Sequence, residues 1–309
     1  MTVMDPVAFA SFGKTIIPML AAPPKPGVKI TDLRDWIFDI KLDGVRTLAF
    51  WDGAGLTLRN RSGRDVTHRY PDLCAAFECL GPDPVILDGE IVAQSGSFQD
   101  TAKRDKQTKP ADVAAAMRQV PVFFIAFDVL YVDGMDTRHL PYRDRRQLLE
   151  QVPITGILQS SVVSRDPGFF DTVKEMGMEG VIAKHPRSQY RGGRFSDWTK
   201  FKALRSITAI GVGYEPGEGA RAHFGAMFLV LLDSANQPVK IGRVGTGMKG
   251  AEIDYLKKEL DEGRPVVCEI ECLNKSKDGQ LRFPVYKGLR TDLSVTDATM
   301  DQLDQIPTM

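Results

Sequence analysis

The stretch "WIFDIKLDGVRTL", residues 36–48, places a lysine between two aspartates inside an apolar run, with a glycine directly after. By period two, Trp36, Phe38, Ile40 and Leu42 fall on one face of a strand, and Asp39, Lys41 and Asp43 on the other. The pattern predicts a strand with one face on a core and an amine held between carboxylates on the other. A ladder of alternating charge at a sheet edge accounts for the same pattern. The rest of the chain has to decide between them.

Outward from this stretch, residues 1–30 are irregular and proline-rich, with "AAPPKPG" as a loop. "VRTLAFWDGAGLTLRNRSGR" reads as two strands joined by a turn at Asp52-Gly53-Ala54-Gly55, and "DPVILDGEIVAQ" as another strand pair. "PVFFIAFDVLYVDG" is a buried strand, and "GVIAKH" and "DWTKFKAL" are short ones. "KPADVAAAMRQV", "YRDRRQLLEQV" and "DPGFFDTVKEMGMEG" are helical, the last with an N-cap aspartate. Near residue 205 the character shifts to strands and tight turns with one helix, "GAEIDYLKKEL". That remainder has the size of a small five-stranded barrel. The expected boundary separates residues 1–205 from 206–309.

The chain's 309 residues suit two domains, and 43% hydrophobic with 26% charged residues is the balance of a soluble globular protein. Forty basic residues offset forty acidic ones, so only local clustering can argue for a polyanionic partner. No apolar run is long enough to span a membrane. "MTVMDPVAFASFGKTIIPML" carries an early Asp5 and no basic leader, so it is not read as a signal peptide. Cys74, Cys79, Cys268 and Cys272 lie in apolar segments with spacings poor for zinc, and read as buried free thiols of a reducing, cytoplasmic compartment.

Several engines are absent. There is no P-loop, no G-x-S-x-G and no H-E-x-x-H. A nucleotide would have to be held by side chains. The candidates are charged pairs on single strand faces: Asp88 with Glu90, and Lys200 with Lys202, beside Glu179, Arg46 and Arg61. Two lysines on one face make a phosphate clamp, and two or three carboxylates can hold Mg²⁺. A solvated strand face explains any one pair. Together they supply a nucleophile, a clamp and metal acids.

This set, in this order, resembles the covalent nucleotidyltransferase superfamily of ATP-dependent DNA ligases, RNA ligases and mRNA capping enzymes. "KLDGVR" looks like the nucleotide-accepting K-x-D-G-x-R block. "RNRSGRDVT" resembles the R-x-G block, "LDGEIV" the D-G-E block, and "FIAFDVLYVDG" the block with a base-stacking aromatic. "EGVIAKH" is similar to E-G-x-x-x-K, "WTKFKAL" to K-x-K, and "LRFPVYKGLRTD" to the last block. The wording is most similar to bacterial and phage DNA ligases, especially the ligase module of bacterial end-joining enzymes. The last block departs from the common R-x-D-K, with Leu293 in place of the lysine.

The resemblance implies an α+β fold: a nucleotidyltransferase domain of ATP-grasp-like antiparallel sheets with helices, then a C-terminal OB-fold β-barrel. It implies a minimal, stand-alone, monomeric ATP-dependent DNA ligase acting on nicked duplex DNA with ATP and Mg²⁺ or Mn²⁺. Lys41 would attack the α-phosphate of ATP, pass AMP to the 5′-phosphate of a nick, and leave the 3′-hydroxyl to displace it. At a pKa of about 10.4 only about one lysine in 10³ is neutral near pH 7, so a cation on Asp43, with Lys200 and Lys202 nearby, would be needed to favour the free amine. Asp39 and the Ile40 backbone would read the adenine edge, and Glu90 the ribose. Phe127 would stack on the base, although its strand is apolar enough to bury it as core. Arg46 and Arg61 would meet ribose or nick phosphate, with Arg194, Lys200 and Lys202 at the phosphates. Glu90, Glu179 and Asp43 are the metal candidates. Arg290 and Asp292 would orient pyrophosphate.

DNA would be held by local patches. Residues 185–205 carry six Lys/Arg against the single Asp197, and "KRDKQTK", residues 103–109, carries four against one acid. A capping or RNA-ligase activity shares the scaffold and is told apart by nucleotide choice. A decayed DNA-binding scaffold, suggested by Leu293 alone, would take no label from ATP.

Overall fold

The computed structural model describes residues 16–219 and 223–308. Most of the segment on which the signal-peptide reading rests lies outside them. No described helix is long and apolar enough to cross a membrane. The chain forms two compact units, one running to Phe201 and the other beginning at Lys202.

The first unit contains β1 (Met19–Ala22), β2 (Ile37–Ile40), β3 (Val45–Trp51), β4 (Leu56–Asn60), β5 (Val85–Ala93), β6 (Val122–Val132), β7 (Met135–Asp136), β8 (Leu158–Ser160), β9 (Val163–Ser164), β10 (Gly180–Lys184) and β11 (Gly193–Lys202). They make two sheets. One has the order β1-β11-β10-β2-β9, with β1 parallel to β11 and β2 antiparallel to both of its neighbours. The other runs β4-β3-β5-β6-β7 antiparallel, with β8 parallel to β6.

The near-continuous apolar runs of β5 and β6 mark strands covered on both faces. On one side Trp51, Leu87 and Phe124 pack with Leu73, Phe77 and Leu149 from the helices Pro71–Phe77 and Tyr142–Gln151. On the other, Phe50, Ile86, Phe127 and Tyr131 meet Met19 and Trp198 of the first sheet. That first sheet is backed by Phe38, Val181 and Ala183 against Val173 of the helix Phe169–Glu175. Each such aromatic or aliphatic side chain stabilises by about 1.5–3 kcal/mol.

Three readings of the sequence change. "DPVILDGEIVAQ" is one strand, β5, and not a pair. Its glycine is not a turn. A Cβ on Gly89 would lie 2.6 Å from the Phe124 ring and 2.7 Å from the Ile125 carbonyl, so Gly89 lets β6 pack close. The strand of the opening stretch stops at Ile40, so Lys41 and Asp43 leave it instead of alternating along it. The helix after "DPG" is capped by Gly168, with Asp166 two residues back accepting its N–H at 2.8 Å.

The second unit holds β12 (Arg205–Glu215), β13 (Ala226–Leu232), β14 (Pro238–Val244), β15 (Val266–Cys272), β16 (Asn274–Lys275), β17 (Leu281–Arg282) and β18 (Val285–Leu289). Five of them form an antiparallel sheet, β14-β13-β12-β15-β18, joined by the β16–β17 hairpin and the helix Gly250–Asp261. In β15, Val266, Cys268, Ile270 and Cys272 alternate into the core. Burial pushes the Cys268 thiol up to about 12 and that of Cys272 up to about 11. The reading of four buried thiols fails for the other pair: Cys74 is half-buried and Cys79 exposed. Cys79 sits on the short turn Glu78–Leu80, where Leu80 takes the inward place.

Candidate active site

The chain crosses from one sheet to the other through Lys41-Leu42-Asp43-Gly44, between the end of β2 and the start of β3. The Lys41 N–H donates to the Gly180 carbonyl at 2.8 Å, which fixes the crossing to β10. Gly44 is required by close approach: a Cβ there would lie 2.2 Å from the Ile91 carbonyl oxygen. The crossing puts Lys41 at a cleft between the two sheets. The first sheet contributes Asp39, Ile40, Lys184, Arg194, Trp198 and Lys200, and the second Arg46, Arg61, Glu90 and Phe127.

Lys41 is ion-paired with Glu179, which is buried. Glu90 faces the same cleft. Burial pushes its carboxyl up to about 7, against the pull of Arg46 and Lys41 and with the repulsion of Asp88 and Glu179. Arg46 is gripped by fully buried Asp88, with two bonds of 2.6 Å, and donates to the Met19 carbonyl at 3.1 Å. Burial works against the charge on Arg46, but Asp88 outweighs it and holds the pKa above the ordinary value. Tyr190 donates to the same Asp88 at 2.5 Å and accepts the Met19 N–H at 3.0 Å.

Phe127 is both core and cleft wall. It is 7% exposed, and the Arg46 guanidinium lies 4.3 Å from its ring centre. Beside it stands Lys184, buried in β10 among the rings of Phe127, Tyr142 and Trp198 at 4.6, 4.6 and 4.3 Å. Its ammonium donates to Asp39 Oδ2 at 2.7 Å and to the Phe127 carbonyl at 3.1 Å. Burial lowers the Lys184 pKa although Asp39 opposes this. The other oxygen of Asp39, Oδ1, is shielded from water with no hydrogen-bond partner among the described residues. A buried acceptor in that state costs about 1–3 kcal/mol unless something donates to it.

The cleft thus gathers Lys41, Asp39, Ile40, Arg46, Arg61, Glu90, Phe127, Arg194 and Lys200, and Glu179 joins through Lys41. Asp43 lies in the crossing and is not part of the cleft lining. Lys202 is the first residue of the second unit, with its ammonium 4.9 Å from the Phe283 ring. Arg290 and Asp292 are also in that unit and bind each other at 2.9 and 2.8 Å. Of the basic patches, Arg104 drops out. It is fully buried, bonded to Asp72 at 2.7 Å and to the Val113 carbonyl at 3.1 Å. Arg191 is ion-paired with Asp197. Sequence reasoning missed Lys184, Trp198 and Tyr190. For Lys184 a signal existed, since a lysine closes the apolar run "GVIAK".

The family model of the ATP-dependent DNA ligase domain matches residues 18–202, and the chain belongs to that family. It is 33% identical to the multifunctional non-homologous end joining protein LigD of Mycolicibacterium smegmatis, over 89% of this chain and 38% of that protein. It is 30% identical to a DNA ligase of Archaeoglobus fulgidus, over 90% of this chain and 56% of that protein. It therefore spans well under two thirds of the length of these relatives. The crystal structure of the ligase domain of M. tuberculosis LigD superposes with a TM-score of 0.54 at 29% identity, covering 93% of this chain and 98% of that one. A mycobacterial DNA ligase D complexed with ATP has the same TM-score at 30% identity and the same coverage of both chains.

Proposed function

We propose that this chain is an ATP-dependent DNA ligase that seals 5′-phosphate/3′-hydroxyl nicks in duplex DNA through AMP carried covalently on Lys41. The observation that carries the reading is the cleft itself: Lys41 stands at it, and within it Lys184 and Asp39 set a buried donor beside an unpartnered buried acceptor. An acceptor suits the 6-amino group of adenine, and Lys184 holds Asp39 in place to offer it. The ATP complex of the mycobacterial relative supports ATP as the nucleotide.

In this reading Phe127 and Trp198 wall the base, while Arg46, Arg61, Arg194 and Lys200 meet ribose and phosphate oxygens. Asp88 orients Arg46 so that its planar fork is fixed before substrate arrives. The amine of Lys41 attacks the α-phosphate, a P–N bond forms, and pyrophosphate leaves. The 5′-phosphate of the nick then takes AMP from Lys41, and the 3′-hydroxyl displaces AMP to form the phosphodiester.

The residues fit a magnesium ion. Glu90 and Glu179 are hard oxygen donors that feel each other's charge, and two carboxylates plus substrate phosphates are the usual Mg²⁺ set. Glu90 and Glu179 would hold it, with Asp43 on the same crossing as Lys41, and it would supply charge to balance the phosphates. We read the second unit as an OB-fold that brings Arg290 and Asp292 to the first step, and the protein as a cytoplasmic monomer.

The test is labelling with α-labelled ATP beside a nick-sealing assay run with ATP, GTP and NAD. Wild type should take a lysine-type label and seal with ATP alone. Lys41→Ala should take none, yet seal a pre-adenylylated nick. A normal yield of lysine adenylate in Lys41→Ala would overturn the assignment. Labelling by GTP would point to a capping-type enzyme.

A further inference from the structure

Two segments remote in sequence are bolted together on the first unit, and their exposed cations lack countercharge. After β4 the loop of residues 61–66 folds back on its strand, with the Val66 N–H donating to the Leu58 carbonyl at 2.9 Å. The chain then makes a short turn, Thr67–Arg69. Arg69 donates to the Asp105 carbonyl at 2.5 Å and lies 3.2 Å from its carboxylate, and Tyr70 donates to Asp105 Oδ1 at 2.9 Å. One residue further, Lys106 ends the helix Phe98–Asp105, and Lys109 caps the helix Pro110–Gln119.

Most acids of these segments are engaged within them, the exception being exposed Asp112 in the first turn of the helix that Lys109 caps. Asp105 is taken by Arg69 and Tyr70, Asp72 by buried Arg104, and Asp65 accepts the N–H and hydroxyl of Thr67 at 2.9 and 2.6 Å. Asp100 pairs with Lys103 at 3.1 Å. Arg61, Arg64, Lys106 and Lys109 are exposed, and no salt bridge joins any of them to a carboxylate among the described residues. Arg61 also lines the cleft that holds Lys41. From Arg64 to Arg69 the chain can span at most about 18 Å, and the bonds of Arg69 and Tyr70 to Asp105 set this loop beside the turn that carries Lys106 and Lys109.

We propose that this face is a phosphate track that grips the duplex on one flank of the nick, with Arg64, Lys106 and Lys109 as its contacts beyond the cleft. The proposal rests on the ligase reading above and adds the surface on which the duplex lies. A B-form strand carries one charge per about 3.4 Å of axis, so a face of this length meets several phosphates. Exposed cations with no ion pair give a track that binds charge and reads no sequence.

The test is binding of fluorescent nicked and intact duplexes over a salt series, using the full chain with Lys106→Gln and Lys109→Gln together. The slope of log K against log salt should shallow by about one per lysine, and affinity should fall evenly over unrelated sequences. Lys25→Gln with Lys258→Gln, which makes the same charge change on exposed residues elsewhere, should leave the slope near wild type. An unchanged slope in the track variant, or an equal loss in both variants, overturns the proposal. Labelling of the same preparations with α-labelled ATP keeps the two ideas apart. A wild type that binds duplex through the track but takes no label speaks against the ligase reading and not against the track.

Discussion

Glu90 feels the charges of Glu179 and Asp88, and its protonation is set by the fold before any ligand binds. Its ordinary value of 4.5 is raised to about 7, so the folded state binds the proton more tightly than the unfolded one. The stability this contributes is complete below about pH 4.5 and is lost as pH rises through about 7. Over that window the loss is on the order of 3 kcal/mol. Glu90→Gln, which cannot ionise, should therefore match wild type in melting temperature at pH 4.5 and exceed it increasingly up to pH 7 to 8, without nucleotide or metal. A constant difference across that range would show that burial does not hold Glu90 protonated. At this scale Lys41, Arg46 and Glu90 could be read from the sequence because each block spells its charge. The E-G-x-x-x-K block spells the charge of Lys184 but not its role, and nothing spells Tyr190, because their value comes from who faces them. Asp39 finds Lys184 only through the pairing of β2 with β10, and Asp88 finds Tyr190 across 102 positions.

The crossing between β2 and β3 shows what the element scale adds. Alternation alone continued the strand through Asp43. The structure ends it at Ile40 because the chain must change sheets, and pleat periodicity carries no information about which sheet a residue joins. The pair of strands expected in "DPVILDGEIVAQ" is one strand for a related reason: glycine punctuates turns and also permits close strand packing, and at Gly89 only the neighbour, Phe124, decides between them. The long helices and β6 were legible because their periods or apolar runs are strong. At Gly44 the consequence can be measured. A methyl group there meets the Ile91 carbonyl oxygen, backbone that cannot turn away, besides the Val92 and Glu90 side chains. Gly44→Ala should cost about 1–3 kcal/mol of stability. It should lower lysine adenylate formation far more than that loss implies, since the added atom displaces the segment that carries Lys41. Thermal melts beside single-turnover labelling separate the two effects, and parallel modest losses would show that the crossing tolerates displacement.

At the scale of the whole molecule, the cleft at Lys41 belongs to the first unit and Arg290 with Asp292 to the second. A role for Arg290 at pyrophosphate is therefore a claim about one step of the reaction. The two bonds from Asp292 hold the Arg290 guanidinium in one plane at an exposed position, which suits a group that must meet phosphate oxygens with little loss of freedom. In the proposed reaction pyrophosphate is present only while Lys41 is being adenylylated, and the later steps involve no such group. Arg290→Ala should slow transfer from ATP to Lys41 by roughly 10²-fold, the size expected when one positioned charge is lost from a phosphoryl-transfer site. Sealing of a pre-adenylylated nick should change much less. Asp292→Asn should fall between, because the amide keeps one bond to Arg290 but lacks the charge that orients it. Leu293→Lys should accelerate the first step if orientation of the leaving group limits it. Rapid-quench measurement of both steps in the same variants decides the matter. Equal losses in the two steps of Arg290→Ala would assign the residue to folding or to DNA binding, and the second unit would then have no part in the chemistry of the first.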